Sequence, residues 1–147
     1  RRFEILKQSD SLVIVDDYGH HPVEIQATLL TAKEVWPDRR LVVIFQPHRY
    51  SRTKHLMESF FSAFNDADQL LLLDIYSAGE EAIEGVHSQR IAEGVKEFGH
   101  KNVEYIGGTE SVIPHLQKIL KPGDIVMALG AGNIGELSHK LASHFND

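Results

Sequence analysis

The stretch Leu12 to Pro22 reads L-V-I-V-D-D-Y-G-H-H-P and decides the fold. Its first four residues are apolar and mostly β-branched, which is typical of a strand buried on both faces of a sheet. Polar residues follow abruptly, and Pro22 suits the first position of a helix, where a missing N–H costs no hydrogen bond. The polar cluster is therefore predicted on a loop that leaves the carboxyl end of a strand and enters a helix. In open α/β sheets, ligands bind at such loops.

The same alternation recurs along the chain. Further buried strands are predicted at 41–46, 69–74, 103–106 and 124–129, and helices at 22–36, from Ser51 or Thr53 to about 65, 88–98, 110–120 and from the glycines at 130–135 to about 144. Repeated strand and helix with short connections predict a Rossmann-like open, mainly parallel sheet of five to six strands with helices on both faces. The sixth strand is expected near Phe3 to Leu6, at an edge. The sequence does not determine the strand order.

Composition limits the class of protein. The chain has 147 residues, 42% hydrophobic and 24% charged, which is typical of one globular domain with a real core. A net charge of −6 argues against a non-specific nucleic-acid binder. No apolar run has the length of a membrane span, and the first residues lack the apolar core of a signal peptide. The absence of cysteine excludes disulfides and Cys-based zinc sites and fits a cytoplasmic setting.

Three strand-to-helix loops carry unusual chemistry, and in a parallel sheet they emerge at one edge. The first loop supplies Asp16, Asp17, Tyr18, His20 and His21, the second His48, Arg49, Tyr50 and Arg52, and the third Tyr76, Glu80, Glu81, His87 and, at the next helix, Arg90. We call the four residues His20, His48, Arg49 and Arg52 the cationic rim. Such a rim suits an anionic ligand, because arginine grips carboxylate or phosphate through two hydrogen bonds. Any single polar residue here is as readily a helix cap, but capping needs no pair of arginines beside histidines.

Two other interpretations are weaker. The first is a zinc site formed by His20, His21 and His48. Adjacent histidines chelate one ion poorly, so no metal ligands are assigned to this chain. Gly130-x-Gly132-x-x-Gly135 follows a strand and opens a helix as a dinucleotide fingerprint does, but that fingerprint belongs to the first strand of a fold. The glycines are interpreted as tight-turn and close-packing residues, or as an anion nest. Five further histidines are expected on the solvated surface: His55, His100, His115, His139 and His144.

Two long motifs identify a family. D-D-Y-G-H-H-P at 16–22 and F-Q-P-H-R-Y-S-R-T at 45–53 closely resemble the C-terminal domain of the Mur ligases of bacterial peptidoglycan synthesis. The segments Y-S-A-G-E at 76–80, A-L-G-A-G-N-I-G at 128–135 and the opening R-R-F are similar to the same domain, so the resemblance covers essentially the whole chain. Within the family, the motif at 45–53 favours the ligase that adds L-alanine over the related ligase that recycles murein peptides.

The resemblance implies that residues 1–147 are the third domain of a three-domain enzyme, with 1–10 a linker or edge segment from the preceding domain. In such an enzyme, ATP phosphorylates the carboxylate of UDP-N-acetylmuramate, with Mg²⁺ held mainly by the central domain, and L-alanine attacks the acyl phosphate. The implied partners are these two substrates and the N-terminal and central domains of the same polypeptide, with no nucleic acid or membrane. The chain has no P-loop motif, so alone it is expected to be inactive and to act by closing over the site. The alternatives are a non-catalytic nucleotide-binding module and a nicotinamide dehydrogenase domain.

The resemblance also implies residue roles. Asp17 would hold the ATP ribose, Tyr18 would lie near the nucleotide and the amino acid, and Arg1 or Arg2 would reach the phosphates. His20, His48 and Arg49 are the candidate catalytic residues, and with Tyr18 and Arg52 they would face L-alanine and the acyl end of the UDP-sugar. An arginine can hold the alanine carboxylate while a neutral histidine accepts a proton from the attacking ammonium. Which residue takes which role stays open at this point.

Overall fold

The computed structural model describes residues 2–145. The described strands are β1 Glu4–Gln8, β2 Leu12–Asp17, β3 Leu41–Phe45, β4 Gln69–Leu73, β5 Val103–Gly107 and β6 Asp124–Leu129. The described helices are α1 Pro22–Val35, α2 Tyr50–Phe60, α3 Ser88–Glu97, α4 Val112–Ile119 and α5 Ile134–His144, with a short 3-10 turn at Thr109–Ser111. Within this part of the chain, no helix is long and apolar enough to cross a membrane.

The strands form one sheet in the order β1-β2-β6-β3-β4-β5. Strand β1 runs antiparallel to β2 at the edge, and the other pairs are parallel. The predicted Rossmann-like sheet, with a sixth strand at an edge, is therefore confirmed. The last strand, β6, lies between β2 and β3, so the loops after these three strands are neighbours.

The core has two layers because successive strand residues point to opposite faces. On one face, Val13 and Val15 of β2 pack with α1, α2 and α3; on the other, Ile14 packs with α4 and α5. Every residue of β2, β3 and β6 is buried, as their continuous apolar sequences predict. Helices thus cover both faces and leave the carboxyl ends of the strands open at one edge.

Several predicted boundaries differ from the structure. Helix α2 begins at Tyr50 and ends at Phe60, short of the predicted 65, and neither Ser51 nor Thr53 caps it. The Thr53 hydroxyl instead donates to the Arg49 carbonyl oxygen at 2.7 Å. The predicted helix at 110–120 starts as the 3-10 turn. Two histidines expected on the solvated surface are structural. The His100 Nε2 lies 2.6 Å from the Ala67 carbonyl oxygen, and the His115 Nε2 is buried 3.3 Å from the Glu104 carboxylate.

Candidate functional site

Strand pairing brings the first two polar loops to the same level of the sheet. Asp17, the last residue of β2, and Phe45, the last residue of β3, both lie opposite Leu129 of β6. The Gln46 amide donates to the Leu129 carbonyl oxygen at 3.0 Å, and the Gly130 amide donates to the Asp17 carbonyl oxygen at 3.2 Å. The structure therefore places the loops carrying Asp17 and Arg49 on one edge, the geometry that an anion site there requires.

Four aromatic and imidazole rings from three loops form a continuous row. The Tyr18 and His20 rings meet edge to face at 5.2 Å between centroids, and His20 lies 5.9 Å from His48. His48 in turn stacks on Tyr76 at 5.6 Å with 24° between the ring planes. The two histidines that the sequence placed in separate loops are thus neighbours.

The environment of His48 keeps its imidazole neutral. Burial lowers the pKa of His48, and the positive charges of His20, Arg52 and Arg49 lower it further, while Glu80 opposes them. Its Nδ1 is buried and finds no hydrogen-bond partner within residues 2–145. A neutral imidazole at neutral pH is able to accept a proton, which is what a general base requires.

The arginines of the cationic rim flank a groove of about 430 Å³ at the start of α2. Arg49 is exposed and is the residue before the first turn of α2, and Arg52 is half-buried on that turn. In the described part of the chain, neither guanidinium makes a side-chain hydrogen bond or an ion pair, so both are available to an anion. The groove is lined by His21, Arg49, Ser51, Arg52, His55 and Leu56.

The backbone of Arg49 is strained. Its φ is 70°, a conformation that non-glycine residues rarely adopt and that costs about 1–3 kcal/mol. The Arg49 amide donates to the Tyr76 carbonyl oxygen at 2.7 Å, which fixes the segment between β3 and α2. Such strain is common at binding sites, where the surrounding structure holds a side chain in a required direction.

Glu80 has a role that the sequence analysis missed. Its carboxylate accepts hydrogen bonds from the Ser51 amide at 3.1 Å and the Ser51 hydroxyl at 2.5 Å. These bonds lower the pKa of Glu80, with a further contribution from the charge of Arg49. Glu80 therefore supplies the negative charge that a helix N-terminus favours, from a loop distant in sequence. Spacing along the chain gives no signal for such a contact.

The predicted nucleotide residues lie at the start of the chain and the end of β2. Asp17 is buried, and its two carboxylate oxygens accept hydrogen bonds from the Phe3 and Gly19 amides, each at 2.7 Å. Each oxygen keeps a second lone pair, but a ribose reaches it only if the segment around Phe3 moves. Tyr18 is exposed, and Arg2 extends toward Glu24 at 3.4 Å. Arg1 lies outside the described residues.

Two residues of the third loop do not join the cationic rim. The His87 side chain accepts a hydrogen bond from the Gln89 amide at the start of α3, and its ring packs on Tyr105 at 5.0 Å. The Arg90 guanidinium lies 5.0 Å from the centre of the Phe61 ring. These contacts stabilise the α3 side of the fold rather than the site.

Comparison with known proteins adds to this geometry. Residues 1–132 match the model of a family described as Mur ligase, glutamate ligase domain. The chain is 55% identical over 141 residues to the UDP-N-acetylmuramate–L-alanine ligase of Geotalea uraniireducens, and 53% over 134 residues to that of Geobacter sulfurreducens. These matches cover 96% and 91% of this chain but 31% and 29% of those proteins. The chain thus spans about a third of the length of these curated relatives.

Solved structures are similar over the whole domain. The crystal structure of UDP-N-acetylmuramate–alanine ligase from Thermotoga maritima matches 99% of this chain and 30% of its own, with a TM-score of 0.76 and 29% identity. A murein peptide ligase from Psychrobacter arcticus matches 100% of this chain and 30% of its own, with a TM-score of 0.78 and 21% identity. At 21% identity, the similarity to the murein peptide ligase shows only that the two proteins share a fold.

Proposed function

The chain belongs to the Mur ligase family through its glutamate ligase domain, and on that premise we propose that it is the C-terminal domain of an ATP-dependent ligase that joins L-alanine to UDP-N-acetylmuramate. The observation that carries the proposal is the cationic rim at the open edge of the sheet, where neither the Arg49 nor the Arg52 guanidinium forms an ion pair or a side-chain hydrogen bond within residues 2–145. The relatives named above are ligases for L-alanine, which supports L-alanine rather than a murein peptide as the amine substrate.

The proposed chemistry needs one group that binds the amino acid and another that accepts a proton. Arg49 or Arg52 holds the carboxylate of L-alanine, because a guanidinium pairs with a carboxylate through two parallel hydrogen bonds. Neutral His48, with His20 beside it, accepts a proton from the alanine ammonium. The freed amine attacks the acyl carbon of the muramoyl phosphate, the C–N bond forms, and the bond from that carbon to the phosphate oxygen breaks as inorganic phosphate leaves.

ATP and Mg²⁺ enter the proposal through the family. Mg²⁺ neutralises phosphate charge when it is bound. Within residues 2–145, no group of three or more histidines or carboxylates is arranged to hold a metal. The family implies that Mg²⁺ is held mainly by the central domain. The exposed Tyr18, which directly follows Asp17, fits one end of a nucleotide. The ribose contact of Asp17 stays a prediction, since the buried carboxylate becomes accessible only if the segment around Phe3 moves.

The rest of the enzyme is also part of the proposal. Residues 1–147 would act as the third domain and residues 1–10 as the link to the second. Closure of this domain would bring the cationic rim to the acyl phosphate and exclude water from it. The cytoplasmic setting stays a prediction.

The direct test is a ligation assay on the complete polypeptide with ATP and UDP-N-acetylmuramate. We expect ADP release and amide formation with L-alanine, much slower reaction with a murein tripeptide, and no reaction by the 147-residue chain alone. Faster ligation of the tripeptide than of L-alanine would overturn the choice of L-alanine as the amine substrate.

Calorimetry on the 147-residue chain tests the non-catalytic alternatives. A domain that shares its ATP site with an absent P-loop domain binds ATP weakly or undetectably. Tight ATP binding by the chain alone would favour a nucleotide-binding module, and tight NAD binding would favour a dehydrogenase domain.

A further inference from the structure

We propose that Tyr76 is a positioning residue that holds His48 and Arg49 in the cationic rim and is itself held by the glycine loop at 130–133. The catalytic consequence rests on the proposed function, whereas the structural consequence can be measured without it. Tyr76 belongs to the loop after β4, and no step of the proposed chemistry uses its side chain.

The first support is a backbone connection. Tyr76 and His48 form an isolated parallel β-bridge beyond the ends of β3 and β4. The Tyr76 amide donates to the Pro47 carbonyl oxygen at 2.9 Å, and the Arg49 amide donates to the Tyr76 carbonyl oxygen at 2.7 Å. These two bonds continue the sheet pairing into the loops on either side of His48. They also hold Arg49 in its unfavourable backbone conformation, with φ at 70°.

The second support is the packing of the Tyr76 ring. The ring stacks on His48, and it also lies against Gly132 so closely that a Cβ on that glycine would come within 2.6 Å of the ring. The same Cβ would come within 2.7 Å of the Gln46 Oε1, so any side chain at this glycine would displace Tyr76, Gln46 or the loop. Gly132 therefore serves close packing, one of the roles that the sequence predicts for the glycine motif.

The third support is the anchor behind the ring. The Gln46 side chain donates from Nε2 to the Asn133 Oδ1 at 2.7 Å and accepts at Oε1 from the Ile134 amide at 3.3 Å. Gln46 is buried and directly follows β3, so it ties the glycine loop to the segment that carries His48. Tyr76 is thus enclosed by a fixed loop on one side and a candidate catalytic imidazole on another.

Loss of the ring would change both the direction and the hydration of His48. The ring covers an imidazole whose Nδ1 is buried without a partner in the described part of the chain. Without it, His48 is free to turn away from His20, and water reaches the imidazole. Because burial is the largest cause of the lowered pKa of His48, hydration raises that pKa toward its ordinary value.

The test compares Tyr76→Ala and Tyr76→Phe in the complete polypeptide, with Tyr105→Ala as the matched control on the neighbouring strand. We expect Tyr76→Ala to lower kcat by at least about tenfold, with a much smaller change in the KM for ATP, and to move the acid limb of the pH–rate profile to higher pH. Tyr76→Phe keeps the ring and is expected to restore kcat to within about twofold. Gly132→Ala is expected to act in the same direction as Tyr76→Ala, since its Cβ would displace the ring.

A second measurement does not depend on ligase activity. In the 147-residue chain, histidine NMR signals follow the titration of His48, and Tyr76→Ala is expected to raise its pKa, whereas the matched control Tyr105→Ala is expected to leave it unchanged. An unchanged His48 titration would overturn the positioning role even if the ligase is active. A raised His48 pKa in a protein that ligates nothing would support the positioning role and reject the proposed function. Equal damage from Tyr76→Phe and Tyr76→Ala would also overturn the role given to the ring.

Discussion

The two ends of the sheet carry similar charged residues and use them differently. At the amino end, Arg40 donates two hydrogen bonds to Asp124, at 3.0 and 2.6 Å, and Lys33 lies 2.6 Å from Asp68. Arg39 joins them by donating to two backbone carbonyl oxygens. At the carboxyl end, the side chains of Arg49 and Arg52 have no such partner within residues 2–145.

The difference separates charges that hold the fold from charges that serve a ligand. Asp124 is almost fully buried, and a buried carboxylate without its cation is strongly destabilising, so Arg40 is structural. The hydrogen bond to Asp124 raises the pKa of Arg40. In the described part of the chain, the two guanidiniums of the cationic rim are not tied to a carboxylate, so an anionic substrate that pairs with them binds more favourably.

The largest expected effect is on the stability of the amino end. Arg40→Met should lower the free energy of unfolding of the 147-residue chain by about 3 kcal/mol, because Asp124 loses its buried counter-charge. Urea unfolding measures the loss. Arg52→Met is the matched control and should change stability by less than about 0.5 kcal/mol. Equal losses from the two variants would contradict the division between the two ends.

The next effect is on ligation and belongs to the carboxyl end. Arg49→Ala in the complete polypeptide should lower kcat/KM for L-alanine by at least about tenfold, the scale of one lost charge-assisted contact. Steady-state kinetics with L-alanine varied gives the value. Arg90→Ala, which removes an arginine packed on Phe61, is the control and should leave kcat/KM nearly unchanged. If both variants behave alike, Arg49 has no special role.

A smaller effect concerns pH. Because the pKa of His48 lies below its ordinary value of 6.5, the acid limb of kcat/KM should lie below that pH. Arg52→Gln removes a positive charge near His48, so its pKa should rise and the limb should move to higher pH. His20, Arg49 and Glu80 are the other charged groups near this imidazole. Lys54→Gln, on the same helix, is the control, and an unmoved limb in Arg52→Gln would exclude His48 as the titrating base.

The lowered pKa of His48 also affects the stability of the fold. Since the folded chain binds a proton on His48 less readily than the unfolded chain does, this group favours folding fully above pH 6.5, and its contribution is lost as the pH falls through the lower, folded pKa. Unfolding measured across this range in wild type and His48→Gln detects the contribution, since only the wild type should show it.

The smallest effect concerns the cap on α2. Glu80→Gln removes the charge that faces the helix N-terminus, and a slight fall in melting temperature is expected at neutral pH. Because the pKa of Glu80 is lowered in the fold, its contribution is present above the ordinary value of 4.5 and lost as the pH falls through the folded pKa. The neighbouring Glu81→Gln is the control. A larger fall in that control would remove the capping role.

Sequence alone predicts the parts of this molecule that depend on local pattern. The strand at 12–15 is confirmed, but it continues through Asp16 and Asp17, which were predicted on the following loop and are instead buried residues that pair with β6. The alternation of strand and helix predicts one edge for the polar loops. The sequence does not predict that β6 lies between β2 and β3, because a hydrophobic pattern identifies a strand but not its neighbours in the sheet.

The contacts that hold the site could not be predicted, since they join residues far apart in sequence. Burial of Asp17 depends on the amide of Phe3 beside the antiparallel edge strand β1. The cap of α2 comes from Glu80, and the support of His48 comes from Tyr76 and Gly132. The resemblance supplied the residue roles, and these stay predictions until substrate is seen in place.

The most direct test is a structure of the complete polypeptide with an ATP analogue, UDP-N-acetylmuramate and L-alanine bound. We predict a nitrogen of Arg49 or Arg52 within about 3.2 Å of a substrate carboxylate or phosphate oxygen, with Arg40 still on Asp124. Substrates bound with both rim guanidiniums in solvent, or bound at the amino end of the sheet, would contradict the assignment of the cationic rim as the substrate site.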